Sequence, residues 1–419
     1  MTRQLRLVCV IWCALTLALT GCESKDEDSS PVTIQTIQER VSELRGLEFL
    51  EPVDEAFLTS DELRQRMMDD FAEDYSEQDV RDDVLLYAAF EFAELDLDLY
   101  NLYVDLYAEQ VLGFYDSETD ELYVIKDEQA FGAMERSTFS HEYVHALQDQ
   151  HFDLETLGFG DEDEGEDADS ERDFAARCLV EGDASLLEMH YSIRYFDTSD
   201  WEEIFEEIDK IETPILDSAP AIVRESLMFP YTAGLAFVTE LYVEGGWPAV
   251  DAAFEDPPLS TEHILHPERY PDDAPQLVTL PPLTSTLGAG WRMVDTDVLG
   301  EFGLGLYLDV HTGSSEAKVA AEGWGGDRYA VYWREDESAF VLVLRLAWDT
   351  SADADEFFNA YVRFAEDRFG GEPGRSEGDA RLWSGDDVLL LTQNAQDETL
   401  VIIAPDEPTL EAIHALLEF

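Results

Sequence analysis

The sequence predicts a mixed α+β fold in which a largely helical part precedes a smaller domain of alternating strands and helices. Apolar residues recur at helical spacing over much of the stretch from Val32 to Tyr195. A β-hairpin interrupts this pattern at 113–125, directly before a helix. Beyond residue 290, short apolar runs alternate with amphipathic helices, and this order is typical of a small α+β sandwich.

The chain is strongly acidic. Its 419 residues include 95 Asp and Glu against 25 Lys and Arg, which gives a formal net charge of −70. This charge repels phosphate backbones and so argues against nucleic acid as a partner. The acids are spread along the whole chain, as is typical of a surface that stays hydrated at high salt; a surface that binds cations or basic partners is the alternative.

The N-terminus has the layout of a secretion signal. Arg3 and Arg6 precede an apolar run from Leu7 to Leu19, which is too short to span a bilayer comfortably. The residues LTGC at 19–22 resemble the lipobox of bacterial lipoproteins. This resemblance implies cleavage before Cys22 and lipidation of that cysteine. The expected product is an exported lipoprotein, anchored in the lipid bilayer at the cell surface or the periplasmic face; an uncleaved signal-anchor helix is the alternative.

Cysteine usage agrees with export. Cys9 and Cys13 leave with the signal and Cys22 carries the lipid, so Cys178 remains alone. A single cysteine cannot form an internal disulfide, and the exported fold must therefore be held by its core or by a metal. Cys178 lies in an apolar helical stretch, where we expect it to be buried.

Changes in composition divide the chain into successive segments. They are a signal peptide (1–21), a polar tether (22–31), a helical N-terminal region (32–110), a central region (111–270), a proline-rich linker (271–290) and a C-terminal α+β domain (291–419). Thr59 and Glu62 have the spacing of a capping box, which predicts that a helix begins near them.

The central and C-terminal regions show the clearest elements. Those predicted in the central region are hairpin strands at 113–115 and 122–125, a helix from about Ser137 to Gln150, an acidic loop at 159–172, and helices at 174–195 and 232–244. Those predicted in the C-terminal domain are strands at 329–333, 339–348, 380–383, 388–392 and 400–403, and helices at 354–369 and 409–417. The second hairpin strand is a candidate edge for pairing with an extended peptide.

The motif His141-Glu142-Tyr143-Val144-His145 carries the chemistry. Two histidines four residues apart on a helix share one face and can both bind a single metal ion. A glutamate directly after the first histidine can lie beside the water that the metal activates and accept its proton. The motif therefore predicts a catalytic zinc site with Glu142 as general base.

A catalytic zinc site needs a third protein ligand, and two candidates remain open. His151 stands where the metzincin pattern has its last histidine, but that pattern needs a helix-breaking glycine at the position of Gln148. Without the break, His151 lies about 9 Å farther along the axis than His145. Glu181 is the stronger candidate, because it is an acid inside an apolar helix and is followed by Gly182, which favours a close approach by another group.

The central region resembles the gluzincin class of zinc metallopeptidases, in which the third ligand lies on a second helix after the His-Glu-x-x-His helix. More narrowly, it is similar to a sparsely characterised group of exported bacterial and archaeal metallopeptidases. The shared motifs are GFYD (113–116), HEYVHALQDQHFD (141–153), LVEGDA (179–184), PYTAG (230–234) and HILHP (263–267). The resemblance implies a largely helical zincin-like domain that binds Zn²⁺ through His141, His145 and Glu181, with Glu142 as general base. It hardly extends to the C-terminal domain.

The chain departs from the gluzincin pattern around the ligands. Many gluzincins have a supporting acid four residues after the ligand glutamate, where this chain has Ser185. Asp183 or Asp149 is the candidate substitute, since metal-binding histidines are usually oriented by such a partner.

A peptidase also needs a donor for the developing oxyanion. Tyr231 is the first candidate for this catalytic role, and His266 or its neighbour His263 is the second. We expect these residues to lie close to the zinc ligands.

The predicted function is that of a membrane-anchored, extracytoplasmic zinc metallopeptidase acting on a peptide or protein substrate. The alternative is a non-catalytic binding lipoprotein whose zinc is structural, with His151 or His190 as a fourth ligand. A calcium-binding surface protein, based on the acidic run 161–169, is a third hypothesis, but this run lacks the ligand spacing of an EF-hand.

Overall fold

The computed structural model describes residues 8–11, 32–116, 119, 121–125, 132–157, 169–336 and 338–419. Cys22, the tether and nearly all of the predicted signal peptide and of the acidic run 161–169 lie outside this part of the chain. Among the described residues, none of the helices combines the length and the apolar character needed to cross a membrane.

The first part of the chain forms helices and a small mixed sheet. Its elements are β1 (Val8–Ile11), α1 (Ile34–Arg45), β2 (Asp54–Leu58), α2 (Ser60–Asp74), α3 (Glu77–Ala89), α4 (Leu99–Gln110), β3 (Val111–Asp116) and β4 (Glu121–Ile125). The strand order is β1-β3-β4-β2, and β3 and β4 form the predicted antiparallel hairpin. The predicted capping box is present, because Thr59 and Glu62 exchange side chain to backbone hydrogen bonds at the start of α2.

The position of β4 corrects one prediction. It pairs with β3 on one side and, in parallel, with β2 on the other, so β4 is an interior strand. The prediction that this strand is an edge open to a peptide was wrong. The prediction failed because it did not include β2. This half-exposed strand of five residues lies in a stretch whose apolar spacing indicates helix, so the sequence pattern does not reveal it.

Helices make up the rest of the described central region after the hairpin. They are α5 (Ala133–Phe152), α6 (Ser170–Tyr195), α7 (Thr198–Ile208), α8 (Pro214–Ser218), α9 (Ala221–Phe229), α10 (Leu235–Gly245), α11 (Trp247–Glu255) and α12 (Thr261–Leu265). A 3₁₀ turn follows α5 at Leu154–Leu157, and a π-helical segment, Pro230–Gly234, joins α9 to α10. Both α5 and α6 begin about four residues before their predicted starts.

Helix α5 is the buried centre of this region. It packs against α1, α6, α7 and the hairpin, and every side chain from Ser137 to Gln148 is buried. A helix that is enclosed on all sides is normally apolar all round. The buried histidines and acids of α5 therefore mark this helix as the position of a polar site.

The C-terminal part is an antiparallel sheet between two layers of helices. Its elements are α13 (Thr284–Leu287), β5 (Trp291–Asp297), α14 (Gly300–Thr312), α15 (Ser314–Ala321), β6 (Trp324–Arg334), β7 (Ala339–Trp348), α16 (Ser351–Phe369), β8 (Arg375–Glu377), β9 (Ala380–Ser384), β10 (Val388–Gln393), β11 (Glu398–Ala404) and α17 (Glu407–Leu417). The seven strands are ordered β5-β6-β7-β11-β10-β9-β8. Helices α14 to α16 cover one face and α17 packs on the other. This confirms the predicted sandwich, to which β5, β8, α14 and α15 are additions.

Ionic and aromatic contacts join the N-terminal helices to the C-terminal sheet. Phe90, directly after α3, packs edge-on against Tyr307 of α14 at 5.1 Å between ring centroids. Arg368 of α16 forms a bidentate pair with Asp387 at 2.7 and 2.9 Å and also contacts Glu91. The described parts of the chain are therefore in direct contact across the predicted domain boundaries.

Candidate metal centre

Helices α5 and α6 bring three predicted metal ligands together. His141 and His145 of α5 and Glu181 of α6 are buried, and one potential ligand atom from each lies within 4.8 Å of the others. Oε2 of Glu181 is 3.2 Å from Nε2 of His141 and 3.6 Å from Nε2 of His145. The three side chains can therefore hold one metal ion.

Glu188 orients His141. Oε2 of Glu188 is 3.2 Å from Nδ1 of His141, and the other oxygen accepts a hydrogen bond from Ser137 at 2.6 Å. A carboxylate can only accept, so Nδ1 carries the proton and Nε2 is directed at Glu181. Burial lowers the pKa of His141, but the hydrogen bonds with Glu181 and Glu188 outweigh it and raise the pKa to about 10.

Gln148 orients His145. Nε2 of the Gln148 amide donates to the carbonyl of Val180 at 3.0 Å and to Asp183 at 2.9 Å, which leaves its oxygen facing Nδ1 of His145 at 2.8 Å. The oxygen accepts the Nδ1 proton, so Nε2 of His145 carries a lone pair. That nitrogen is buried and has no hydrogen-bond partner among the described residues, and burial lowers the pKa of His145 to about 4.

Nε2 of His141, Nε2 of His145 and a carboxylate oxygen of Glu181 thus converge on one point. Such an arrangement is repulsive unless a proton or a cation lies between the atoms. A proton shared by His141 and Glu181 would relieve part of this repulsion. A divalent cation would relieve all of this repulsion, because it can bind all three ligand atoms. The donor set therefore fits a metal.

Glu142 is a second unsatisfied group at the same place. Its side chain is fully buried, and neither carboxylate oxygen makes a hydrogen bond of acceptable geometry with a described residue, although the backbone N–H of Tyr115 in β3 approaches it. Burial raises the pKa of Glu142 well above its usual range, and the positive charge of His141 opposes this. A buried acid without a partner destabilises the fold and calls for a functional explanation.

The π-helical segment Pro230–Gly234 closes the site from the side of α6. It packs along α6, where a Cβ on Gly182 would overlap the carbonyl oxygen of Gly234. Because Gly182 has no side chain, the backbone of the π-helical segment at Gly234 can approach that of α6 closely, as predicted from the glycine next to Glu181. Tyr231 of this segment is buried, and its ring lies 6.3 Å from the ring of His141, centroid to centroid. The structure thus places Tyr231 beside the ligands.

We expect Gly182→Ala to destabilise the protein by about 1–3 kcal/mol, because its Cβ cannot be accommodated without moving the backbone at Gly234. Urea unfolding measures the effect. Gly371→Ala is the control, since a Cβ there meets nothing within 4 Å. Equal stability of the two variants would show that α6 and the π-helical segment are not in this contact.

The other histidines of the central region have partners of their own. His151 lies on the unbroken end of α5 and contacts the carbonyl of Glu48 at 2.8 Å. His190 packs against the rings of Tyr242 and Trp247. Neither belongs to the group that can hold a metal.

The HILHP histidines lie near the linker. Nε2 of His263 contacts the carbonyl of Asp273 at 2.6 Å, and its Nδ1 accepts from the backbone N–H of Leu259. His266 pairs with Glu301 of α14 at 3.0 Å, a hydrogen bond that raises the pKa of His266. The structure thus connects His266 to the C-terminal domain, whereas Tyr231 is the candidate that lies beside His141.

The supporting residues differ in part from those predicted. Asp183 does support a histidine, but through the amide of Gln148. Asp149 accepts hydrogen bonds from Tyr115 and from the backbone of Leu154. Glu188 was missed, although it lies two helical turns after Glu181 on the same face of α6, and this spacing is a signal that the sequence contains.

One described cavity lies away from the ligands. It has a volume of about 460 Å³ and is bounded by the linker strap 275–282, by β6 and by the start of α6 at Glu171. None of the three predicted ligands, His141, His145 and Glu181 (the triad), lines this cavity. Glu181 is ten residues after Glu171 on α6, so about 15 Å along the helix axis separates the cavity from the metal centre.

Comparison with known proteins reaches only the C-terminal part. Residues 287–414 match the family model of a domain of unknown function, DUF8575. The matched segment covers the sheet from β5 to β11 and most of α17, and contains none of the triad residues. No curated protein and no solved structure matches the chain.

Proposed function

We propose that this chain is a zinc-dependent metallopeptidase, exported and anchored to the membrane through a lipid on Cys22. The observation that carries the proposal is the convergence of His141, His145 and Glu181 beside the unpartnered carboxylate of Glu142. Two imidazoles and one carboxylate are a ligand set of catalytic zinc sites, which keep a further position for water or substrate. The partners found for His151 and His190 support an open position over a closed structural site.

The donor set favours zinc or a transition metal over calcium and magnesium, and the His-Glu-x-x-His motif on one helix is typical of zinc. Imidazole ligands suit zinc, copper, iron and nickel, whereas calcium and magnesium take oxygen ligands. Zinc bound by three protein ligands supplies a Lewis acid that polarises a carbonyl and lowers the pKa of water. Cys178 is buried elsewhere on α6 and does not belong to the group, so no thiolate of the described residues enters the ligand set.

The residues of the chain would divide the catalytic work as follows. Glu142 would accept a proton from the attacking water and pass it to the leaving amine. Tyr231, whose ring lies 6.3 Å from that of His141, would donate its hydroxyl to the developing oxyanion. Glu188 and Gln148 hold the two imidazoles in the tautomers that leave Nε2 free.

The burial of the site favours one alternative, a lipoprotein with a structural metal. His141, His145 and Glu181 are each at most 2 % exposed, and a substrate must be able to reach a catalytic metal. A structural ion would explain the triad but not the unpartnered Glu142. Hydrolysis of a peptide library by the wild-type chain separates the two functions.

Metal content tests the proposal directly. We expect one zinc per chain in the purified full-length wild type, and loss or strong weakening of zinc binding in Glu181→Ala, because the mutation removes one of three ligands. Atomic absorption after dialysis against a weak chelator measures both. Cys178→Ala is the matched control on the same buried helix and should retain its zinc.

Two outcomes would contradict the proposal. If Glu181→Ala binds zinc as the wild type does, the third ligand is another residue, with His151 the first to be tested. If the wild type binds no zinc after exposure to the ion, the chain is not a zinc peptidase.

A further inference from the structure

A chain of buried polar side chains runs from the metal centre to the N-terminal helix α1. Gln148 faces His145, Asp183 accepts from the Gln148 amide, and Nε of Arg45 donates to Asp183 at 2.9 and 3.2 Å. Arg45 is the last residue of α1, and all three side chains are at most 1 % exposed. No motif of the sequence indicates this connection.

We propose that Gln148, Asp183 and Arg45 are positioning residues of the metal site, and that α1 is thereby part of it. The inference rests on the proposed function in requiring that a metal occupies the triad. Arg45 acts through Asp183 and Gln148, and thereby determines the direction in which Nε2 of His145 points.

The orientation of the Gln148 amide decides which of its atoms faces His145. A side-chain amide has a donor end and an acceptor end, and only the acceptor end can take the Nδ1 proton of His145. Asp183 and the carbonyl of Val180 both accept from the donor end, so a reversed amide would place its oxygen against theirs. Asp183, together with Val180, therefore selects the orientation in which His145 keeps its proton on Nδ1 and its lone pair on Nε2.

Arg45 fixes the position of Asp183. Nε of Arg45 donates to both oxygens of the buried Asp183 carboxylate, at 2.9 and 3.2 Å. Without Arg45 this carboxylate would lose its counter-charge and its donor, and it would move. A displaced Asp183 leaves the Gln148 amide held by the carbonyl of Val180 alone, and the position of His145 changes with that of the amide.

Burying the charge of Arg45 costs free energy that burying an apolar side chain would not. The guanidinium of Arg45 also forms an ion pair with Asp251 at 2.7 Å and lies 4.7 Å from the ring of Trp247. Buried ion pairs can often be replaced by apolar side chains without loss of stability, so anchoring α1 does not require this arrangement. Its connection to His145 through Asp183 and Gln148 gives the charge a function in positioning that ligand.

The test compares Gln148→Met and Arg45→Met with the wild-type full-length chain. Gln148→Met removes both ends of the amide at nearly constant volume, and outer partners of this kind change metal affinity by about 10–100-fold. We expect the zinc dissociation constant to rise by that factor in Gln148→Met and to rise in Arg45→Met as well. Arg45→Lys keeps the charge and should recover part of the affinity. Competition with a chromophoric chelator measures all four proteins.

A spectroscopic measurement separates positioning from stability. Cobalt substituted for zinc absorbs visible light according to the geometry of its ligands, so a reoriented His145 should change the spectrum of both methionine variants. Arg368→Met is the matched control, because it breaks a partly buried ion pair with Asp387 that is remote from the triad. It should lower the unfolding temperature and leave zinc affinity and the cobalt spectrum unchanged.

The outcomes distinguish this inference from the proposed function. A wild type that binds no metal contradicts the proposed function. A wild type that binds zinc, with unchanged affinity and spectrum in Gln148→Met, contradicts the positioning role alone. If Arg45→Met does not fold, Gln148→Met and Arg45→Lys still decide the question.

Discussion

Replacing Glu142 with glutamine is expected to abolish peptide hydrolysis while the chain keeps its zinc. Glutamine preserves the shape of the side chain and cannot accept the proton of the attacking water. General acid–base catalysis of this kind contributes about 10²–10⁴-fold to the rate, and we expect a loss of that size in kcat. Turnover of a fluorogenic peptide library gives the rate, and atomic absorption gives the metal content of the same preparation.

The same substitution should not destabilise the metal-free protein. The carboxylate of Glu142 is fully buried without a good hydrogen-bond partner, which costs free energy in the folded state. A neutral amide is less costly to bury than a carboxylate, so the unfolding temperature of the metal-free variant should equal or exceed that of the wild type. Loss of activity together with unchanged or higher stability is the combination expected of a catalytic residue.

Glu135→Gln provides the matched control for Glu142→Gln. Glu135 lies in the first turn of the same helix and is only half-buried. Its replacement should change neither turnover nor zinc content. Full turnover in Glu142→Gln would rule out the proposed role of this residue, and no turnover in the wild type would favour the structural-metal alternative.

Local patterns predicted much of the fold, and the elements that they missed share a physical cause. The hairpin, α5, α6 and, apart from β8, the run from β6 to α17 each have a clear period of their own and were predicted near their observed positions, although β6 begins at Trp324, before its predicted start. The strand β2 forms by parallel pairing with β4, a contact remote in sequence. Helix α14 contains three glycines, which lower its intrinsic helix propensity, and it is stabilised by burying Leu304, Tyr307 and Leu308.

The metal ligands could be predicted because each has a local signal. His141 and His145 have the four-residue spacing of one helix face, and Glu181 is an acid in an apolar run, beside a glycine. Gln148 was interpreted only as the absence of a helix-breaking glycine. Its role could not be predicted, because it depends on hydrogen bonds to Val180 and Asp183 of α6, which are remote in sequence. Arg45 could not have been found, since nothing in α1 indicates that its last residue reaches a helix more than a hundred positions later.

Zinc affinity is expected to rise steeply with pH. In the metal-free protein burial lowers the pKa of His141, but Glu181 and Glu188 raise it to about 10, whereas burial lowers the pKa of His145 to about 4. Between these values His145 is already neutral and His141 still carries a proton that the metal must displace. Release of one proton per zinc makes the apparent affinity increase about tenfold per pH unit, or about 100-fold from pH 6 to pH 8.

Glu188→Gln tests the cause of this pH dependence. An amide oxygen can still accept the Nδ1 proton of His141, but the negative charge that helps to raise the pKa of His141 is gone. The pKa of His141 should fall, so the affinity should stop rising at a lower pH than in the wild type. Calorimetry in buffers of different ionisation enthalpy counts the protons released at each pH. Affinity independent of pH between 6 and 8 in the wild type would mean that His141 is already neutral before the metal binds, and that Glu181 and Glu188 do not hold its proton.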